Sequence, residues 1–176
     1  YDVFGIVRGQ NNPKIEKVLE IVPSITLIEG DLRDMSSLLS ALEQSQPDEV
    51  YNMAASSYVA DSFECPLANM DITGMAVGRL LEAVRIVNKD IKFYQSSSSE
   101  MYGCRETPSF PLNEESTMAP ISPYGVAKLM GHNLINIYRQ HGMYAVSGIL
   151  FNHESELRRL DFVTRKITNT VAKIFL

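Results

Sequence analysis

The chain has 176 residues, 45% of them apolar and 21% charged, which suits one ordinary globular, soluble domain with a real core. Its net charge of -5 is spread without a basic block, so no nucleic-acid partner is expected, and phosphate would be held only by a few placed groups. No apolar run reaches the roughly 18 residues of a membrane span, and no basic-plus-apolar leader opens the sequence, so the expected setting is the cytoplasm, with no membrane partner. Cys65 and Cys104 lack metal-ligand spacing and are read as incidental thiols, and no metal site is expected.

In chain order, strands are expected near 2–7, 25–29, 48–53, 91–97 and 144–150, alternating with helices near 13–21, 35–45, 65–86, 122–141 and 161–175. Short apolar runs between segments of helical period mark stacked strand-helix units and a parallel sheet. The fold class is therefore α/β, a Rossmann-like doubly wound sheet. Asp34 can cap the second helix, whose Leu38, Leu39 and Leu42 share a face. Ser122 can cap the fourth, with Pro123 at its first position. The long irregular stretch 103–121 carries Pro108, Pro111 and Pro120, and such a length in a compact domain is usually functional. Tyr1 lies inside the strand-like run YDVFGIV and the last residues, TNTVAKIFL, inside an amphipathic run, so the chain is read as a fragment of a longer protein.

In an open parallel sheet, ligands bind beyond the carboxyl ends of the strands. Those ends are followed here by Arg8-Gly9, by Glu29 to Leu32, by Asn52 to Ser57, by Ser96 to Glu100 and by Phe151 to Glu154. Two of these points connect chemically. In SPYGVAK, Tyr124 and Lys128 stand four apart on a helix, about 40° apart around its axis, so their heads can reach one target. A tyrosine titrates near 10, and a nearby ammonium lowers that value by favouring the phenolate. In YQSSSSEMYG, Ser98 would hydrogen-bond an oxygen that Tyr124 deprotonates, and Glu100 adds a second acid or base. Ser, Tyr and Lys are a working set for alcohol oxidation by hydride transfer, and a carboxylate beside them suggests proton movement at a neighbouring carbon. Arg8, ending the first strand, favours a 2′-phosphate and hence NADP over NAD, because an acidic residue there would instead hold a free ribose hydroxyl.

Ser98-x-Glu100, Tyr124-x-x-x-Lys128, GDLRDMSSL, PDEVYNMAA, GILFNHES and FVTRKIT together resemble the extended short-chain dehydrogenase/reductases that act on nucleotide sugars, and among them the GDP-mannose 4,6-dehydratase group. The resemblance covers nearly the whole chain. It implies GDP-mannose as substrate, NADP as cofactor, and catalysis by Ser98, Glu100, Tyr124 and Lys128. It further implies that Asp31 and Leu32 lie against the adenine, that Met53, Ala54, Ala55, Ser56 and Ser57 line the phosphate and ribose path, and that Lys128, His153 and Arg158 touch the cofactor. Asn152, Ser99 and Lys166 match substrate contacts. The reaction implied is a 4,6-dehydration to GDP-4-dehydro-6-deoxy-mannose. Residues 1–150 would be a partial NADP-binding domain and 151–176 the start of the sugar-nucleotide region. A homo-oligomer, dimer or tetramer, is implied for the full-length form.

Several features depart from that pattern. By the resemblance, the family's own first strand with its glycine-rich loop would lie before Tyr1 and most of its C-terminal substrate domain after Leu176, so the sheet is expected to be incomplete, with exposed apolar faces and unpaired backbone, and the chain alone to fold poorly or associate. After NHES the family usually reads Pro-Arg-Arg-Gly, whereas this chain has Glu156-Leu157-Arg158-Arg159. The loop GQNNPK is short and lacks a second adjacent arginine. Two other readings stay open: a related nucleotide-sugar epimerase, which needs no glutamate at Glu100, and a non-catalytic remnant acting as an assembly partner.

Overall fold

The computed structural model describes residues 1–9, 12, 14–103 and 111–175. Strand β1 (Phe4–Val7) leads to helix α1 (Lys14–Ile21), β2 (Thr26–Glu29), α2 (Met35–Ser45) and β3 (Glu49–Asn52). Then come α3 (Val59–Glu64), α4 (Pro66–Met70), a π-helical turn (Asp71–Met75), α5 (Ala76–Asn88) and β4 (Lys92–Ser98). A 3-10 turn (Ser99–Met101), α6 (Pro123–Gln140), β5 (Ala145–Leu150) and α7 (Val163–Phe175) complete the order. Cys104 and Pro108 lie outside the described residues.

The expected strands all form, and every pairing is parallel. β1 pairs with β2, and β4 sits between β3 and β5, with Asn52 opposite Gln95 and Gln95 opposite Ser147. β1 and β3 each have a single hydrogen-bonded neighbour, and Phe4, Ile6, Tyr51 and Met53 are exposed along them. The sheet is thus two pieces with open edges, as the sequence led us to expect. The core lies between α2, α5 and α6 and the β3–β4–β5 sheet: Leu38 and Leu42 meet Leu80, Leu81 and Val84, with Phe93, Ile135 and Ala145 beneath. Phe93 is fully buried on the central strand. Replacing such a side chain by alanine costs about 3–5 kcal/mol through lost burial and an unfilled cavity.

The helix ends follow their chemistry. Asp34 accepts from the Ser36 N–H at 3.0 Å to start α2, and Ser122 accepts from the Gly125 N–H at 3.0 Å to start α6, with Pro123 at the first helical position. One expectation is corrected. The helix placed at 65–86 is three pieces, and α3 precedes it where no element was placed. The proline at 66 disfavours helical backbone at Cys65, which adopts φ -132° and ψ 63°, so α3 ends and α4 begins afresh. Beyond it the π turn sits against α6 at Gly74, where an added Cβ would lie 3.1 Å from the Ala127 carbonyl oxygen. Such π insertions recur at functional sites.

Candidate functional site

The carboxyl half of β4 is polar yet buried: Gln95, Ser96, Ser97 and Ser98 are each 9% exposed or less. Ser98 closes the strand and caps the turn that follows, its Oγ accepting from the Glu100 N–H at 3.2 Å. Glu100 is half-buried there, and buried Met101 and Tyr102 anchor the turn. The Tyr102 hydroxyl donates to the Asn113 carbonyl at 2.8 Å. Gly103, at φ 66°, lets the returning chain cross so closely that an added Cβ would stand 2.0 Å from the Ala119 oxygen. The long segment is thereby drawn back to the turn just before α6 begins.

α6 then presents Tyr124 in its first turn, 7% exposed. Ser98, Glu100 and Arg158 all act on this phenol. Burial pushes its pKa above the ordinary tyrosine range, the Ser98 hydroxyl pulls it down, the Glu100 charge raises it and the Arg158 charge lowers it. Lys128, expected to lower Tyr124, is not among the groups that act on it in this arrangement. The Lys128 Nζ turns toward β4, donating to the Ser96 carbonyl at 2.8 Å, with the Ser96 Oγ at 3.4 Å, and stands 5.7 Å from the Tyr124 ring centroid. Burial, which disfavours the ammonium, lowers Lys128 itself to about 8. No salt bridge reaches it among the described residues.

The remaining expected site residues fall into three groups. Arg8 is exposed at the end of β1, and its charge helps hold the Asp31 carboxyl at about 2, although the largest cause is Arg33. Arg33 grips Asp31 with both arms, Nε to Oδ1 at 3.0 Å and Nη2 to Oδ2 at 2.7 Å. Leu32 is half-buried against the core. Met53, Ala54 and Ser57 are exposed and Ala55 and Ser56 half-buried, in a loop pinned at both ends. The Ala54 N–H donates to Asn52 Oδ1 at 3.3 Å, the Ser56 N–H to Thr73 Oγ1 at 3.2 Å, and Asn69 Nδ2 to the Ser56 carbonyl at 2.9 Å.

The third group follows β5. Asn152 and His153 are exposed, and His153 Nδ1 lies 2.7 Å from the Phe151 carbonyl. Arg158 pairs with Glu154 at 3.2 Å and lies 3.5 Å over the Phe162 ring, whose edge meets Tyr58 at 5.4 Å between centroids. That stack ties the loop after β3 to the segment before α7, despite the changed residues at 156, 157 and 159. Ser99 is half-buried in the 3-10 turn. Lys166 is exposed on α7. Sequence reasoning missed Arg33 and Gln95, and named Asn52 only as the first of a strand-end set, without a role. For Gln95 the available signal was its place at the head of the polar run QSSSSE that ends the strand. No group of His, Cys, Asp and Glu suited to a metal occurs among the described residues.

A family model described as GDP-mannose 4,6 dehydratase matches residues 1–176. A GDP-mannose 4,6-dehydratase of Yersinia enterocolitica is 44% identical over 186 residues, covering 100% of this chain and 50% of that protein. The GDP-mannose 4,6 dehydratase of Homo sapiens is 40% identical over 188 residues, again with 100% of this chain and 50% of that protein covered. The chain spans about half the length of the curated relatives it matches. Among solved structures, RMD from Pseudomonas aeruginosa complexed with NADPH superposes with a TM-score of 0.80 at 22% identity, covering 99% of this chain and 62% of that one, which establishes the shared fold.

Proposed function

The chain belongs to the GDP-mannose 4,6-dehydratase family, and from that premise we propose that it carries the proton-transfer site of an NADP-dependent 4,6-dehydration of GDP-mannose. The observation that supports this most is the convergence of Ser98, Glu100 and Tyr124 where β4 ends and α6 begins. A nucleotide-sugar epimerase has no use for Glu100, whereas a dehydration needs a base for the carbon next to a new ketone.

The residues fit a nicotinamide dinucleotide. The end of β1 and the turn after β2 offer two guanidiniums, Arg8 and Arg33, around a carboxylate that Arg33 already occupies. Asp31 is therefore not free to take a ribose hydroxyl, and the surrounding charge suits a 2′-phosphate. Small Ala54 and Ala55 leave room for close backbone approach. A dinucleotide held there would supply a reversible hydride acceptor, for hydride leaving carbon 4 of the sugar and returning at carbon 6.

The chain's own groups move the protons. Tyr124 accepts the 4-hydroxyl proton while Ser98 hydrogen-bonds that oxygen. Glu100 removes the carbon 5 proton, acidified by the adjacent ketone, and delivers it to the departing 6-hydroxyl, which leaves as water. The proton held by Tyr124 then goes to carbon 5, so one water is lost and Glu100 and Tyr124 return to their starting states. Burial raises Tyr124, so it needs the ammonium of Lys128 to swing from Ser96 or the charge of Arg158 to favour its phenolate. Asn152, Ser99 and Lys166 are assigned to the sugar nucleotide, and His153 and Arg158 to the cofactor. The proposal includes a homo-oligomer in the full-length form, supported by exposed Val126, Met130 and Ile137 on α6, and a cytoplasmic setting. No helix among the described residues is long and apolar enough to cross a membrane.

The test is incubation with GDP-mannose and NADP+, following product by mass. Loss of one water that disappears in Glu100→Gln supports the reading. Epimerised sugar without loss of water, or turnover indifferent to Glu100→Gln, overturns it.

A further inference from the structure

Gln95 is 1% exposed and Asn52 5% exposed, two amides buried side by side where the β3–β4 ladder ends. Buried amides persist where their hydrogen bonds are met, and these two meet each other: Asn52 Nδ2 donates to Gln95 Oε1 at 2.7 Å, across directly paired positions of β3 and β4. Gln95 Nε2 donates in turn to the Ser96 carbonyl at 2.9 Å. That same oxygen receives the Lys128 ammonium at 2.8 Å. At the other end of the chain, Asn52 Oδ1 accepts from the Ala54 N–H at 3.3 Å. β3 stops pairing at Asn52 while β4 continues to Ser98, so the two side chains act where the β3 ladder runs out.

We propose that Asn52 and Gln95 are positioning residues, which orient the Ser96 carbonyl that holds Lys128 near Tyr124 and join that lysine to the loop beginning at Ala54. The inference deepens the proposed function and rests on it for its catalytic meaning, while the network itself is a property of the chain. Two donors on one carbonyl fix its direction and compete for its lone pairs. The positive end of the Gln95 amide therefore faces the same oxygen as the ammonium and works with burial against the charged form of Lys128. Because Gln95 cannot turn its amide without placing its oxygen against the Ser96 carbonyl, Asn52 sets the orientation by presenting a donor. Movement of the Ala54 N–H on seating a ligand reaches Lys128 through four hydrogen bonds.

The experiment is NMR titration of the chain labelled with [ε-13C]lysine, Lys128 being assigned from the signal lost in Lys128→Arg. In the unsubstituted chain the Lys128 signal should titrate near 8, and the side-chain amide resonances of Gln95 and Asn52 should shift with the same midpoint. Gln95→Glu, nearly isosteric, places a carboxylate by the Ser96 carbonyl and should raise the Lys128 midpoint by a unit or more, a tenfold or larger change in its acidity. Asn52→Asp, which removes the donor that orients Gln95, should raise it in the same direction by turning the Gln95 oxygen toward the ammonium.

Amide resonances that ignore the Lys128 titration overturn the proposal without recourse to any variant. So does a Lys128 midpoint unmoved in both variants while each melts cooperatively. In turnover, Gln95→Glu should depress kcat and move the pH profile with little change in KM for GDP-mannose. A chain that shows the coupled titration yet neither binds NADP+ nor dehydrates GDP-mannose would refute the proposed function and leave the network established.

Discussion

Gly125 and the Glu100 carbonyl are in direct backbone contact: an added Cβ on Gly125 would stand 2.7 Å from that oxygen and 2.9 Å from Pro120 Cβ. The first turn of α6 thus rests on the 3-10 turn, and this puts Tyr124 beside Ser98 and Glu100. Neither neighbour is a flexible side-chain tip, so a methyl group cannot be accommodated by a rotamer change. Gly125→Ala should separate turn from helix, reducing dehydration at least tenfold and destabilising the fold by about 1–3 kcal/mol through overpacking. Kinetics and urea unfolding measure the two effects, and a fully active variant would contradict the contact's role.

Tyr124→Phe keeps the ring and removes the proton acceptor. General base catalysis contributes on the order of a hundredfold to ten-thousandfold, so dehydration should fall by that factor while the chain melts within a few degrees of its usual temperature. Comparable activity in Tyr124→Phe would remove Tyr124 from the mechanism.

Lys128 gives a pH dependence of stability whose sign follows from its depressed value. An unfolded lysine titrates near 10.5 and this one at about 8, so between those values the unfolded chain binds more protons and stability rises with pH. Below about 8 the buried ammonium costs on the order of 3 kcal/mol, an upper figure from the size of the shift. Lys128→Met should therefore stabilise the chain at pH 7, and the advantage should shrink as pH rises through the interval from about 8 to 10.5. Urea midpoints at several pH values test it. Tyr124, with its raised pKa, works in the opposite sense above the ordinary tyrosine range and is present in both proteins, so the comparison isolates Lys128.

The corner formed by Arg8, Asp31 and Arg33 predicts cofactor discrimination. Arg8→Ala should weaken NADP+ about tenfold or more and NAD+ far less, because only the 2′-phosphate gains a charge-assisted hydrogen bond there. Arg33→Ala should act in two ways, removing a second guanidinium and freeing Asp31, whose carboxyl would rise toward the ordinary range. NAD+ should then gain relative to NADP+. Calorimetric titration with both dinucleotides decides it, and equal losses for the two would exclude this corner as the phosphate site.

Much of this site could be read from local signals. Tyr124 and Lys128 share a face because helical geometry places residues four apart close together, and Ser122 with Pro123 marked where that helix starts. Ser98 and Glu100 were legible as polar residues ending a strand. The break at Cys65 was legible too, in the proline that follows it, but the run of apolar residues beyond masked it. Arg33 lies only two positions from Asp31, so its grip is local as well, but nothing in the residue pattern of GDLRDMSSL singled it out.

Strand and helix periods, caps and the parallel order of units were determined by the sequence alone, since these depend on neighbours within a few positions. Tertiary structure decided which way buried groups face: that Lys128 turns to Ser96 instead of the Tyr124 hydroxyl, that Gln95 and Asn52 satisfy one another, and that Gly125 admits the Glu100 carbonyl. A buried polar atom takes the partner that packing places within about 3 Å, and the partners here lie as far as 43 positions away along the chain.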